Sequence, residues 1–276
     1  MIATCLFSQP WAISRPHFDA LLARYAEWLE ANISEPGQRA GITLGAPTTP
    51  APTYQVANGI ATVPIHGVLM QNPDDTERWF LGAVSMLELQ DTVSKAAADP
   101  AASAILLDID SPGGTVVGTP ELANTVRAAA AAKPVVSFTH NLMASAAYWV
   151  GSQADAVLST PSARVGSVGV IMQVPNYIER LRKAGVKVET FAAGKFKGAG
   201  NPYMDMTAEH RNAFQGGVEA VHGEFKQAVL SRRTTIQASD MEGQVFAGRE
   251  AAGKGFTTGL VQSIHGARAR AAALAF

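Results

Sequence analysis

The feature that most constrains this chain is a series of short apolar runs alternating with helical patterns. Ala104-Ile105-Leu106-Leu107, continuing to Ile109, is followed by a helical segment and then by Val135 to Phe138. Runs of this length, bounded by turn residues, are strands buried on both faces. Helices between them return the chain to the same edge, which makes the sheet largely parallel. Ile60-Ala61-Thr62-Val63-Pro64-Ile65, Ala156 to Leu158, Gly166 to Met172 and Val186 to Phe191 extend the strand series. Ser85-x-x-Glu88 predicts a capped helix running to Ala97, and Asp99-Pro100 ends it. Thr119-Pro120-Glu121 predicts the next helix, with Thr119 as cap. Further helices are expected from Ser145 through Val150, over Tyr177 to Ala184 and over Thr207 to Arg233, while 71–81 reads as a mobile loop.

Four regions follow. Residues 1–34 read as a helical arm, with Phe18, Leu21, Leu22, Tyr25 and Leu29 at helical spacing. Residues 35–55, rich in Pro, Gly and Thr, read as a linker. Residues 56–265 form the main α/β domain, and 266–276 a helical tail.

Composition narrows the function. The 276 residues are 47% hydrophobic and only 16% charged, with net charge −1. A large core is therefore available, and no basic patch is expected to grip nucleic acid. Thin surface charge favours a homo-oligomer. Cys5 is the single cysteine, so no internal disulfide and no cysteine metal cluster is expected. The six histidines lack H-E-x-x-H spacing, and no metal or organic cofactor is expected. No apolar run reaches about 18 residues, so no membrane span is expected. Met1 to Phe7 is apolar but short and lacks a basic start, so no secretion signal is read.

Three segments carry chemistry. Asp110-Ser111-Pro112-Gly113-Gly114 follows a buried strand, and paired glycines let backbone amides approach a ligand. Such amides form an oxyanion hole, or the segment is a plain tight turn. Met143-Ala144-Ser145-Ala146-Ala147-Tyr148-Trp149 places a serine between strand and helix, as a nucleophile or as an ordinary N-cap. Gly194-Lys195-Phe196-Lys197-Gly198 is a glycine-flanked loop with two lysines, and periodicity does not choose between them.

Together these segments resemble the signal peptide peptidase A family of serine–lysine peptidases, over about residues 60–261. The small-Ser-small-small-aromatic motif matches Ser145, with Tyr148 and Trp149 after it. The aromatic-Lys motif with a proline a few residues later matches Phe196-Lys197 and Pro202. The resemblance also covers Gly166-Ser167-Val168-Gly169-Val170 and the closing Gly243-Gln244-Val245-Phe246-Ala247-Gly248. It implies a Clp-protease/crotonase-like α/β fold: a mostly parallel sheet wrapped by helices, here with the N-terminal helical arm. It implies Ser145 as nucleophile, Lys197 as general base, an oxyanion hole at Gly113, Gly114 and Ala146, and Ser167 as the residue orienting the lysine. Ala146-Ala147 stand where relatives often carry two glycines.

Pro10-Trp11-Ala12-Ile13 points within this family to the phage and prophage head proteases. A polypeptide substrate follows, namely a capsid, portal or scaffold protein, met in the host cytoplasm or procapsid. Degradation of signal peptides, a non-catalytic assembly role and acyl-CoA chemistry on the same fold are the alternatives. Clp-type relatives carry a catalytic histidine roughly 25 residues after the serine, but 164–173 contains none, and His66 and His140 read as local structure. A lysine base must be neutral, and an ordinary lysine, with pKa near ~10.4, is neutral in only about one molecule in a few thousand at pH 7. An apolar pocket favours the neutral form, and Phe196, Val168 and Val170 are its expected walls.

Overall fold

A computed structural model describes residues 9–33 and 51–275, with the backbone path alone for 28–33. Cys5 and all but the last five residues of the expected linker lie outside that range. In chain order the strands and helices are β1 (Trp11–Ile13), α1 (Arg15–Ile33), β2 (Gln55–Ala57), β3 (Ile60–His66), β4 (Val68–Met70), α2 (Asp75–Leu81), β5 (Ala83–Ser85) and α3 (Met86–Ala98). Next come β6 (Ala104–Asp110), β7 (Gly113–Thr115), α4 (Thr119–Ala132), β8 (Val135–Thr139), β9 (Leu142–Ala144), α5 (Ala146–Gly151), β10 (Ala156–Ser159) and β11 (Arg164–Gly166). The chain closes with α6 (Ile178–Lys183), α7 (Ala208–Leu230), β12 (Val245–Ala247), α8 (Gly248–Gly253), β13 (Gly259–Leu260) and α9 (Ile264–Leu274).

The apolar runs become the centre of a six-stranded sheet, ordered β13-β10-β8-β6-β3-β2. Every neighbouring pair in it is parallel except the edge pair β2/β3. This is the mostly parallel, helix-covered α/β architecture expected from the sequence. Ile105, Leu107 and Ile109 point to one face, against α3 and α4, whereas Ala104 and Leu106 meet α9 on the other. On α3, Met86, Leu89, Val93 and Ala96 form the buried stripe. Each large side chain removed from water there contributes roughly 1.5–3 kcal/mol.

Two smaller sheets sit at the C-terminal ends of the central strands. One is ordered β1-β7-β4-β5 and the other β12-β11-β9, with a bridge between Ser111 and Met143 joining them. Among the described residues no helix is long and apolar enough to cross a membrane.

Some elements differ from the sequence reading. The expected mobile loop over 71–81 contains α2, whose start is a complete capping box. The Asp74 carboxylate accepts from the Glu77 amide at 2.8 Å, and the Glu77 carboxylate accepts from the Asp74 amide at 3.0 Å. The D-x-x-E signal lies in the sequence at Asp74 and Glu77, directly after Pro73. The expected strand 166–172 ends at Gly166, because Gly166 and Ser167 have φ of 122° and 55°. The expected strand 186–191 is absent, and its residues are exposed without ladder partners. The cap of α4 is Gly118 at φ 93°, while the Thr119 hydroxyl donates to the Thr115 carbonyl. At α3, Ser85 does accept from the Glu88 amide, but the Glu88 carboxylate turns to Arg78 instead of closing the box.

One buried cation ties α7 to the region behind α5. Arg233 directs its guanidinium to the carbonyls of Ser152, Ala154 and Asp155. It is only 7% exposed, and burial lowers its pKa. Arg233→Ala strands those carbonyls, so urea denaturation is expected to show a loss of roughly 3 kcal/mol.

Candidate active site

The site is built where β9 ends and α5 begins. Leu142, Met143 and Ala144 are buried in the strand, and the chain then reverses at Ser145. Ser145 holds φ 54° and ψ −121°, an uncommon conformation for a residue with a Cβ, costing on the order of 1–3 kcal/mol. Its amide donates to the Gly166 carbonyl at 2.8 Å, and its carbonyl accepts from the Trp149 amide at 2.8 Å. Both ends of the turn are therefore fixed by backbone bonds. The helix behind it is fixed too: Trp149 stacks on Phe225 with centroids 4.5 Å apart, and the Tyr148 hydroxyl donates to the Phe256 carbonyl.

Although Ser145 occupies the N-cap position of α5, its hydroxyl makes no capping bond. It reaches instead to the Gly169 carbonyl at 3.3 Å, and the residue is fully buried. The ordinary N-cap explanation of this serine therefore fails. A strained serine with a hydroxyl that does not serve the helix is the kind of position found at a functional site.

The glycine pair lies beside it. A Cβ on Gly113 would meet the Ala12 carbonyl at 2.2 Å, the Ala146 amide nitrogen at 2.9 Å and the Ala144 carbonyl at 3.0 Å. Gly113 and the Ala146 amide thus border one small space next to Ser145. The Gly113 amide itself donates to the Ser111 hydroxyl at 3.2 Å, a contact whose only trace in the sequence is Ser111 two residues earlier. Gly114 sits between β1 and β4, pairing with Ala12 on one side and Leu69 on the other.

Ser167 also has positive φ, 55°, and its amide donates to the Gln244 carbonyl. It lines a cleft of about 320 Å³ together with Ile13, Gly169, Ile171, Val218 and His222. His222 is a cleft residue that sequence reading missed. Its Nε2 donates toward the Met241 carbonyl at 2.8 Å and the Val168 carbonyl at 3.2 Å, holding the turn that carries Ser167 and Gly169. Only the fold brings His222, 77 residues from Ser145 in sequence, to this turn.

The lysine loop lies apart. Lys195 pairs with Glu209, and its carbonyl receives the His210 ring. Lys197 is exposed, and among the described residues its ammonium has no hydrogen-bond or ion-pair partner, neither Ser145 nor Ser167. The expected apolar walls are not assembled around it: Val168 is buried in the main core and Phe196 is 48% exposed. Ser145, Gly113, Ala146 and Ser167 are thus gathered within one chain, and Lys197 is not. His66 pairs with Asp108 at 3.3 Å, and this hydrogen bond raises its pKa.

The peptidase family S49 model matches residues 127–275, which contain Ser145, Ser167 and Lys197. The chain belongs to peptidase family S49. Its relatives include the capsid assembly protease C of Escherichia phage lambda, 34% identical over 77% of this chain and 49% of that protein. The head-tail preconnector protein GP5 of Enterobacteria phage P21 is 31% identical over 78% of this chain and 43% of that protein. The chain spans about half the length of these curated relatives. Among solved structures, an enoyl-CoA hydratase from Shewanella pealeana is similar over 82% of this chain and 74% of that one, with 10% identity and a TM-score of 0.45.

Proposed function

We propose that this S49 chain is a serine endopeptidase with Ser145 as nucleophile and Lys197 as general base, acting on capsid or scaffold proteins during phage head assembly. The observation that carries the reading is the strained, uncapped Ser145, set against the Gly113 backbone and the Ala146 amide. The two phage relatives support the choice of substrate by their names.

Neutral Lys197 takes the Ser145 proton as Oγ attacks a peptide carbonyl. The amide of Ala146 and those of the Gly113-Gly114 segment stabilise the oxyanion. Protonated Lys197 gives its proton to the leaving amine, and the acyl group stays on Ser145. Water then adds to the acyl carbonyl with Lys197 accepting its proton, and Lys197 returns that proton to Ser145 Oγ as the acid product leaves. Ser167 orients the amine. No metal or organic cofactor enters these steps.

Lys197 is preferred to Lys195 because Lys195 already pairs with Glu209. Closure of the dyad needs either movement of the exposed loop that bears Lys197 or the same loop from a second copy in a homo-oligomer. The workplace is the host cytoplasm or procapsid.

Co-expression with a candidate capsid or scaffold protein tests the reading, with mass spectrometry reporting the cut bond. Lys195→Ala is expected to keep most of the cleavage. If it falls as far as Lys197→Ala, the assignment of the base is wrong. Mixing Ser145→Ala with Lys197→Ala chains restores part of the cleavage if the dyad forms between copies. Continued inactivity of the mixture assigns both groups to one chain.

A further inference from the structure

A peptidase must lay an extended stretch of substrate across its nucleophile, and backbone bonds to an open strand edge are the general means of holding one. Beside Ser145 that edge belongs to β7, whose first residue, Gly113, borders the same space as the Ala146 amide. The edge is already filled. Trp11–Ile13 pairs antiparallel with β7 in the register Trp11 with Thr115, Ala12 with Gly114 and Ile13 with Gly113. On its other side Trp11 exchanges both backbone bonds with Ile171, at 2.8 and 2.9 Å. The Ser14 amide adds a bond to the Pro112 carbonyl.

The chain's own strand is thus held from both sides, between β7 and Ile171. The Ala12 carbonyl lies against Gly113 at the space shared with the Ala146 amide. Ser145 is fully buried with this strand in place. A nucleophile that must meet a polypeptide is inaccessible in this arrangement.

We infer that Trp11–Ile13 occupies the groove in which the substrate strand binds, and that it must leave before a polypeptide can enter. The inference rests on the assignment of Ser145 as nucleophile. The occupant also describes the substrate. Trp11 and Ile13 sit in an apolar cluster with Phe18, Val68, Met70 and Phe80, while Ala12 packs on the opposite side in the main core. An extended segment with a small residue between two bulky apolar ones matches that alternation. The strand acts as an internal competitor, so the groove's apparent affinity for an added peptide is reduced by the fraction of chains in which the strand is released.

The test measures binding rather than cleavage. A fluorescein-labelled peptide with the sequence from Gln9 to Arg15 is titrated against two full-length proteins, Ser145→Ala and Ser145→Ala with Trp11→Ala. Trp11→Ala removes the ring packed on Phe18 that anchors the strand. Anisotropy is expected to show about tenfold or tighter binding to the double variant. Equal affinity, with both proteins folded by circular dichroism, overturns the inference. Hydrogen exchange on the unaltered chain gives a second reading that needs no substitution. The Trp11 and Ile171 amides are expected to exchange by local opening, faster than those of β6. Protection equal to that of β6 also overturns it. Tight peptide binding to the double variant, with no cleavage by any Ser145-containing form, keeps the groove and removes the peptidase reading.

Discussion

Ser145→Ala is expected to abolish the proposed cleavage of a co-expressed capsid or scaffold protein, by about 10⁴-fold or more, without unfolding the chain. The hydroxyl makes one bond, to the Gly169 carbonyl, and caps nothing, so its removal disturbs little of the fold. Alanine retains the Cβ that the turn already accommodates. A melting temperature close to wild type together with lost cleavage separates a chemical role from a structural one. Lys197→Ala should lose cleavage to a similar depth, because in the proposed dyad nucleophile and base act as one unit and their deletions are not additive. The double variant should therefore be no worse than either single one. A Ser145→Ala chain that still cuts the same bond would sink the mechanism.

Gly114→Ala is expected to damage the fold more than any other single-methyl change near the site. The added Cβ would lie 1.8 Å from the Leu69 carbonyl oxygen, 2.5 Å from its carbon and 2.7 Å from the Leu69 nitrogen. All three are backbone atoms of β4, which pairs with β7 on one side and β5 on the other. No side chain can rotate away, so one strand must shift. Overpacking of this kind costs upward of about 3 kcal/mol, and the variant should unfold early in urea or fail to accumulate. Gly216→Ala is the matched control. Gly216 lies within α7 with no atom near its would-be Cβ, so alanine should stabilise by about 0.5–1 kcal/mol. Equal stabilities for the two variants would show that the close approach of β7 to β4 is not maintained in solution.

The central strands were legible because each is long, apolar and separated from the next by a helical pattern. Ile60, Ala104, Val135 and Ala156 each begin a strand at or within one residue of where the alternation places it. The long helix α7 was legible as well, since Thr207 caps it by accepting from the His210 amide. The expected strands over 166–172 and 186–191 were misread for a common reason. Their apolar residues have strand-like composition, but a strand also needs a neighbour to pair with, and composition does not report one. Ser167 departs from extended geometry, and Val186 and Val188 stay half exposed.

At the site, sequence order placed Ser145, Gly113 and Ser167 in motifs, each with an innocuous alternative. For Ser145 a dihedral angle and an absent cap weigh against the innocuous alternative, and both are properties of the folded turn. His222 carried no signal, because the two carbonyls it holds, of Val168 and Met241, are brought to it only by the fold.

By itself, the sequence determined a parallel α/β sheet, a serine at a strand–helix junction and two glycines after a buried strand, since local pattern and turn chemistry suffice for these. The tertiary structure alone decided that Trp11–Ile13 closes the free edge of β7, that Lys195 is engaged with Glu209 while Lys197 is not, and that Ser145 lies covered. Each of these depends on contacts between segments far apart in the chain, where pairing geometry and exclusion of volume act and sequence spacing does not.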